Sequence, residues 1–297
     1  MRSERVSFFS SGVPLTGILT LPDDPVGQQP AVVLAHGYAN YKGEFGGFDE
    51  LADVLGRSGY VALQFDFRGC GETDAPVGKM LCATEWPLDV MSAVSYLQAR
   101  SEVDPQRIGL VGQSMGGGVV ATVSALDDRV ACTVSLASVS DGARWLHETW
   151  TQRRGASGWN EFLIALQNDR HERALHGRSR FAPLPELLAL TAEETATWLE
   201  MRARYPLFLY EAPWESIDDV LHFKPIDVVQ HIQCPIRFVH GTADLMVDSS
   251  HSVDMHAHAG SQADLQLIDG ADHALPIGTH KGRVQELIAE WLDRYLK

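Results

Sequence analysis

The sequence predicts an α/β fold: a mostly parallel central sheet with helices on both faces and an inserted helical cap. Three observations carry this reading. Apolar runs of strand length alternate with helical runs along most of the 297 residues, the pattern of parallel strands joined by crossover helices. The alternation breaks for about eighty residues from Asp141 to His222, too long a stretch for a structureless loop, so a folded insertion is expected there. Finally, Gly112-Gln113-Ser114-Met115-Gly116 joins the apolar run Arg107 to Val111 to a small-residue helical run from Gly117 to Ala125. That is a tight strand-to-helix turn with glycine two positions before and after its serine.

The elements follow in order. A hairpin over about Val6 to Leu21 precedes strand Ala31 to Ala35, helix Gly47 to Arg57, strand Val61 to Phe67, helix Trp86 to Arg100 and strand Ile108 to Val111. After the serine turn and its helix comes strand Val130 to Leu136. Residues 1–140 are thus the first part of the core, 141–224 the insertion and 225–297 the second part of the core. The insertion reads as helices Ala143 to Arg153, Asn160 to Arg173 and Thr191 to Arg204, separated by Gly155 to Gly158 and by Phe181-Ala182-Pro183-Leu184-Pro185. The core resumes with a buried strand, Pro235 to His240, a helix bearing His251, His256 and His258, which read as solvated, a strand from Leu265 to Ile268, and a C-terminal amphipathic helix.

Composition sets bounds on partners. With 45% apolar residues the chain can bury a large core. Its net charge of -15 is spread along the sequence, which favours solubility and gives no reason to expect nucleic acid or an anionic membrane. Cys70, Cys82, Cys132 and Cys234 are too scattered for a disulfide framework or a metal site. The start of the chain carries no apolar signal core and no run is long enough to span a bilayer, so a reduced, cytoplasmic protein is expected. Oligomeric state is open, with a homodimer among the options.

The chemistry centres on Ser114. A serine on so tight a turn stands above the sheet edge, next to the unsatisfied amides that begin a helix. It needs a base and an orienting acid. Strand Pro235 to His240 ends in His240-Gly241-Thr242-Ala243-Asp244, which puts a carboxylate past its carboxyl end. Strand Leu265 to Ile268 ends in Asp269-Gly270-Ala271-Asp272-His273, which puts an imidazole at the same edge. Asp244 and His273 are the expected partners, with Asp248 the chief competing acid and Asp272 a weaker one.

With these residues in place the chain resembles the alpha/beta-hydrolase superfamily along nearly its whole length. The strand Ala31 to Ala35 runs into His36-Gly37-Tyr38, and the turn Asp66-Phe67-Arg68-Gly69-Cys70-Gly71-Glu72-Thr73 looks like the family's D-x-R-G-x-G turn, with Thr73 where serine is commoner. Its role there is mainly structural. His36 to Lys42 and Gly270-Ala271-Asp272-His273 resemble bacterial serine carboxylesterases of the feruloyl and cinnamoyl esterase kind, and Gly12 to Leu19 resembles catalytic domains related to prolyl oligopeptidases. The resemblance implies a catalytic Ser114, Asp244 and His273, an oxyanion hole from the backbone N–H groups of Tyr38 and Met115, no metal and no cofactor.

The expected reaction is cleavage of a small-molecule carboxylic ester through an acyl-enzyme. A peptidase or amidase, an acyltransferase or thioesterase, and a non-catalytic ligand receptor are the alternatives. Five of the seven tryptophans fall in the insertion: Trp145, Trp150, Trp159, Trp198 and Trp214. They are candidates to line an acyl pocket, although tryptophans in such a segment also build its own core. Between Asp141 and Phe181 lie seven arginines, Arg144, Arg153, Arg154, Arg170, Arg173, Arg178 and Arg180, against five acids. They suit an anionic substrate or, equally, ordinary solvated helix faces.

Overall fold

The computed structural model describes residues 2–23, 26–73 and 81–297. Strands β1 (Arg2–Ser10) and β2 (Val13–Leu21) form the hairpin. They are followed by β3 (Gln29–Ala35), α1 (Gly47–Arg57), β4 (Val61–Phe65), α2 (Trp86–Gln98), β5 (Val103–Gln113), α3 (Met115–Leu126) and β6 (Cys132–Leu136). The insertion contains α4 (Gly142–Arg154), α5 (Gly158–His176), β7 (Phe181–Pro183), α6 (Leu184–Leu187), α7 (Ala192–Arg204), β8 (Glu211–Pro213) and α8 (Trp214–Val220). The core ends with β9 (Ile236–Gly241), α9 (Ser250–His258), β10 (Ala263–Ile268) and α10 (Lys281–Leu296).

Among the described residues eight core strands lie in the order β1-β2-β4-β3-β5-β6-β9-β10. Strand β2 runs against both its neighbours, and every pairing from β4 to β10 is parallel. A parallel strand is covered on both faces, which is why its sequence is an unbroken apolar run. Along β3 the side chains divide by parity: Ala31, Val33 and Ala35 pack with α2 and α3, while Val32 and Leu34 pack with α1 and α10. Helix α10 meets that second face with Val284, Leu287, Ile288, Trp291 and Leu292, spaced at one helical stripe.

Strand order locates the site. From β3 the chain goes to β4 on one side, then returns past β3 to β5 and grows outward on the other. Loops leaving the carboxyl ends of β3 and β5 therefore diverge, and the crevice between them is where such sheets bind ligands. The β3 end leads into His36-Gly37-Tyr38 and the β5 end into Ser114.

Some boundaries differ from expectation. Strand β5 starts at Val103 because Gln29 pairs with Val103 across a register shift before the regular Ala31–Ile108 pairing. The segment Phe181 to Pro183, expected as a separator, is β7 and pairs antiparallel with β8. Three residues carry no readable period, and a proline is tolerated in a two-stranded ribbon that leaves its nitrogen unpaired. Helix α7 begins with a capping box, Thr191 and Glu194 each bonding the other's backbone N–H.

The turn at Ser114 needs its glycines for contact. A β-carbon on Gly112 would stand 2.2 Å from the Gly116 carbonyl oxygen, and one on Gly116 would stand 2.2 Å from that of Ala35. Both obstacles are backbone. Gly116→Ala is therefore expected to cost about 3 kcal/mol or more of stability, whereas Gly282→Ala in α10, where a β-carbon meets nothing within 4 Å, is expected to hold or slightly raise it. Urea unfolding of the two variants checks this contrast.

Candidate active site

Ser114 sits at φ 57° and ψ -120°, a left-handed backbone unusual for a residue with a side chain. The turn is pinned by Ser114 N–H donating to Leu136 O (2.8 Å) and by Gly118 N–H donating to Ser114 O (3.2 Å). Its hydroxyl lies 3.0 Å from His273 Nε2. On the other side of the ring, His273 Nδ1 lies 2.7 Å from Asp244 Oδ2. A carboxylate can only accept, so Nδ1 carries the proton and Nε2 is free to accept from Ser114. The expected trio is thus brought together by three separate loops, after β5, β9 and β10.

Asp244 is buried and fully engaged. Its Oδ1 accepts from Met246 N–H (2.8 Å) and Val247 N–H (2.9 Å), and His240 Nε2 lies 3.2 Å from its Oδ2. Burial works to raise its pKa, but the His273 charge and these hydrogen bonds outweigh burial and hold it well below the usual carboxylate range. For His273 burial works to lower the pKa, yet Asp244, with smaller help from Glu44 and Asp272, leaves it raised. The competing acids are occupied elsewhere: Asp248 accepts from Ser250 N–H (2.9 Å) and Asp272 from Ala274 N–H (3.2 Å).

Several participants were not singled out from sequence. His240 braces Asp244 and is itself held by Ser252 Oγ at 2.7 Å from Nδ1. Gln113 Nε2 donates to the His273 carbonyl at 2.8 Å, fixing the loop that carries the imidazole. Glu44 is buried, accepting from Gly37 N–H and Asn40 Nδ2, each at 2.7 Å. Burial, the dominant influence, pushes its carboxyl up to about 7, against those two hydrogen bonds and His273. His240 was visible only as the end of an apolar strand, and Glu44 only as one of many acids.

Tyr38 and Met115 flank Ser114 from the loop after β3 and the start of α3. Among the described residues neither backbone N–H donates to a protein acceptor. Both amides are therefore without a protein acceptor among these residues.

A cavity of about 440 Å³ opens over Ser114 and His273, within the usual range for small-molecule sites. Tyr38, Phe45, Pro276 and Ile277 of the core form one side, and Trp145, Leu188, Leu190, Trp198, Met201 and Phe208 of the insertion the other. Two of the five tryptophan candidates, Trp145 and Trp198, line it. The other three do not: Trp150 and Trp214 are buried around Phe162, and Trp159 stacks on Phe162 at 4.8 Å. They form the interior of the insertion because α4, α5 and α8 converge there.

Among the described residues five of the seven arginines are held in ion pairs. Arg144 pairs with Glu148 and Asp254, Arg153 with Glu194, Arg170 and Arg173 with Asp218, and Arg180 with Glu186. None of the seven lines the cavity, so the sign of the insertion gives no anion site. His251 is likewise not solvated. It is fully buried, taking Ser140 N–H and lying 2.7 Å from Ser140 Oγ on one nitrogen, with Glu148 at 3.0 Å on the other. It ties α9 to α4. Among the described residues no group of His, Cys, Asp and Glu is placed to hold a metal, and no helix is long and apolar enough to cross a membrane.

The family profile described as alpha/beta hydrolase fold matches residues 30–278. An Escherichia coli protein described as an uncharacterized 31.7 kDa protein in the traX-finO intergenic region is 24% identical over 97% of both chains. The alpha/beta hydrolase GrgF from Penicillium sp. sh18 superposes with a TM-score of 0.82 at 21% identity, covering 100% of this chain and 99% of its own. Est1E from Butyrivibrio proteoclasticus, solved with ferulic acid bound, gives 0.66 at 17% identity over 98% and 99%.

The raised carboxyl of Glu44 has a stability consequence. Its folded pKa of about 7 exceeds the unfolded 4.5, so the folded chain binds more protons between these values and the group adds stability as pH falls through that window. Glu44→Gln removes this. Relative to wild type, the variant should lose up to about 3 kcal/mol between pH 8 and pH 4, read from denaturation midpoints across that range.

Proposed function

Because the chain belongs to the alpha/beta hydrolase family, we propose that it is a serine hydrolase cleaving carboxylic esters with apolar acyl groups. The observation that carries this is the hydrogen-bond chain from Ser114 through His273 to Asp244, opening onto an apolar cavity. Esterase-type neighbours such as Est1E support it.

In this reading His273 Nε2 takes the hydroxyl proton as Ser114 Oγ attacks the carbonyl carbon. The C–O bond to the alcohol then breaks, and His273 returns the proton to the departing oxygen. Water repeats the cycle on the acyl-enzyme, releasing the acid. Asp244 holds Nδ1 protonated and stabilises the imidazolium. The Tyr38 and Met115 amides receive the tetrahedral oxyanion, each worth about 2.7 to 4 kcal/mol of barrier.

The insertion acts as a cap. It is tied to the oxyanion side by Leu209 N–H donating to Ala39 O (3.0 Å) and by Tyr38 Oη donating to Ser216 O (3.4 Å). Since the reacting groups handle the carbonyl common to all esters, acyl preference resides in the cavity walls.

Four outcomes are expected with a panel of p-nitrophenyl esters. Ser114→Ala reduces turnover by at least about a thousandfold without loss of fold. Asp244→Asn does the same, whereas Asp248→Asn stays within about twofold of wild type. The acid limb of kcat/KM lies above pH 6.5, because neutral His273 is required and its pKa is raised. Trp198→Ala and Trp145→Ala change the preference between short and long acyl groups, while Trp150→Ala, behind the wall, lowers Tm and leaves the preference as it was.

A further inference from the structure

Glu44 is a buried carboxyl at the base of the cavity that the ester mechanism does not use. Its surroundings give it a task. The Gly37-Tyr38 peptide carries the Tyr38 N–H at one end and the Gly37 carbonyl at the other, and a trans peptide points the two in opposite directions. That carbonyl is held by His36 Nδ1 (2.8 Å) and by Asn40 N–H (3.2 Å). Glu44 in turn grips both flanks: Oε2 accepts from Gly37 N–H and Oε1 from the Asn40 side chain, each at 2.7 Å. The Asn40 oxygen relays to Tyr41 N–H at 2.9 Å. Gly37 lies between the carboxyl and the serine, since a β-carbon built on it would stand 3.4 Å from Ser114 Cβ and 3.7 Å from Glu44 Oε1.

The backbone shows what is being restrained. Ala39, Glu44 and Phe45 all have positive φ, at 60°, 44° and 55°, values that non-glycine residues keep only where the surroundings enforce them. The carboxyl closes this loop from inside.

We infer that Glu44 is a positioning residue, which aims the Tyr38 amide at the developing oxyanion by clamping Gly37 and Asn40; the inference rests on the serine-hydrolase reading. Glu44 also faces His273, and its charge helps raise the imidazole. The titratable groups around the pair include Tyr41 on the Glu44 loop, Asp244 and Asp272 beside His273, and Tyr38 and Glu194 on the wall of the same cavity.

The test measures the second-order rate at which a fluorophosphonate labels Ser114, since phosphonylation needs the same oxyanion site whatever the natural substrate. Glu44→Ala should slow labelling about a hundredfold and Glu44→Gln, which keeps the volume and one acceptor, about tenfold. KM for a p-nitrophenyl ester should stay within about twofold while kcat falls in parallel. In Glu44→Gln the acid limb should move to lower pH, because the lost negative charge no longer supports the imidazolium. If the alanine variant does not fold, the isosteric glutamine variant decides. Variant rates within twofold of wild type with an unmoved acid limb overturn the positioning role alone; a wild type that does not label at all overturns the hydrolase reading and this role with it.

Discussion

The structure turns on the backbone of Ser114. A non-glycine residue at φ 57° and ψ -120° costs about 1 to 3 kcal/mol, and it is held there because β5 and α3 meet across the side-chain-free positions Gly112 and Gly116. The same geometry that strains the serine brings its hydroxyl to 3.0 Å from His273 Nε2. Relaxing the turn would lower the local energy and dissolve the site.

Everything else in the site answers that placement. The sheet order sends the β3 and β5 loops apart, opening a crevice over the serine. The loops after β9 and β10 bring the Asp244 carboxylate and the His273 imidazole to the same edge. Each of these loops has its own brace: His240 and two amides on Asp244, Gln113 on the His273 carbonyl, Glu44 on the loop after β3. The bracing side chains are buried, and their polar atoms hold the loops through hydrogen bonds. The insertion contributes apolar side chains, among them Trp145, Leu188, Leu190, Trp198 and Phe208, to the lining of the cavity over Ser114.

The layers and the Ser114, Asp244 and His273 trio were legible in sequence, because doubly covered strands leave apolar runs and because the serine turn has a local signature. Asp244 could be preferred over Asp248 by its distance from the strand end, and the structure gives Asp248 to Ser250 instead. Contacts between distant segments were not legible. Nothing in Glu44, His240 or His251 announces burial, since their partners lie from four to over a hundred residues away on loops and helices whose approach the local sequence does not show. For the same reason tryptophan content could not separate Trp145 and Trp198 on the wall from Trp150, Trp159 and Trp214 inside the insertion. Short strands such as β7 carry no period to read.

The central claim is that Ser114 carries an acyl group during turnover. Intact-protein and peptide mass spectrometry on enzyme quenched in acid while hydrolysing p-nitrophenyl butyrate tests it directly. The account predicts a single butyryl adduct on the peptide containing Ser114, absent from Ser114→Ala. Turnover with no adduct, with an adduct on another residue, or with the adduct retained in Ser114→Ala would contradict it.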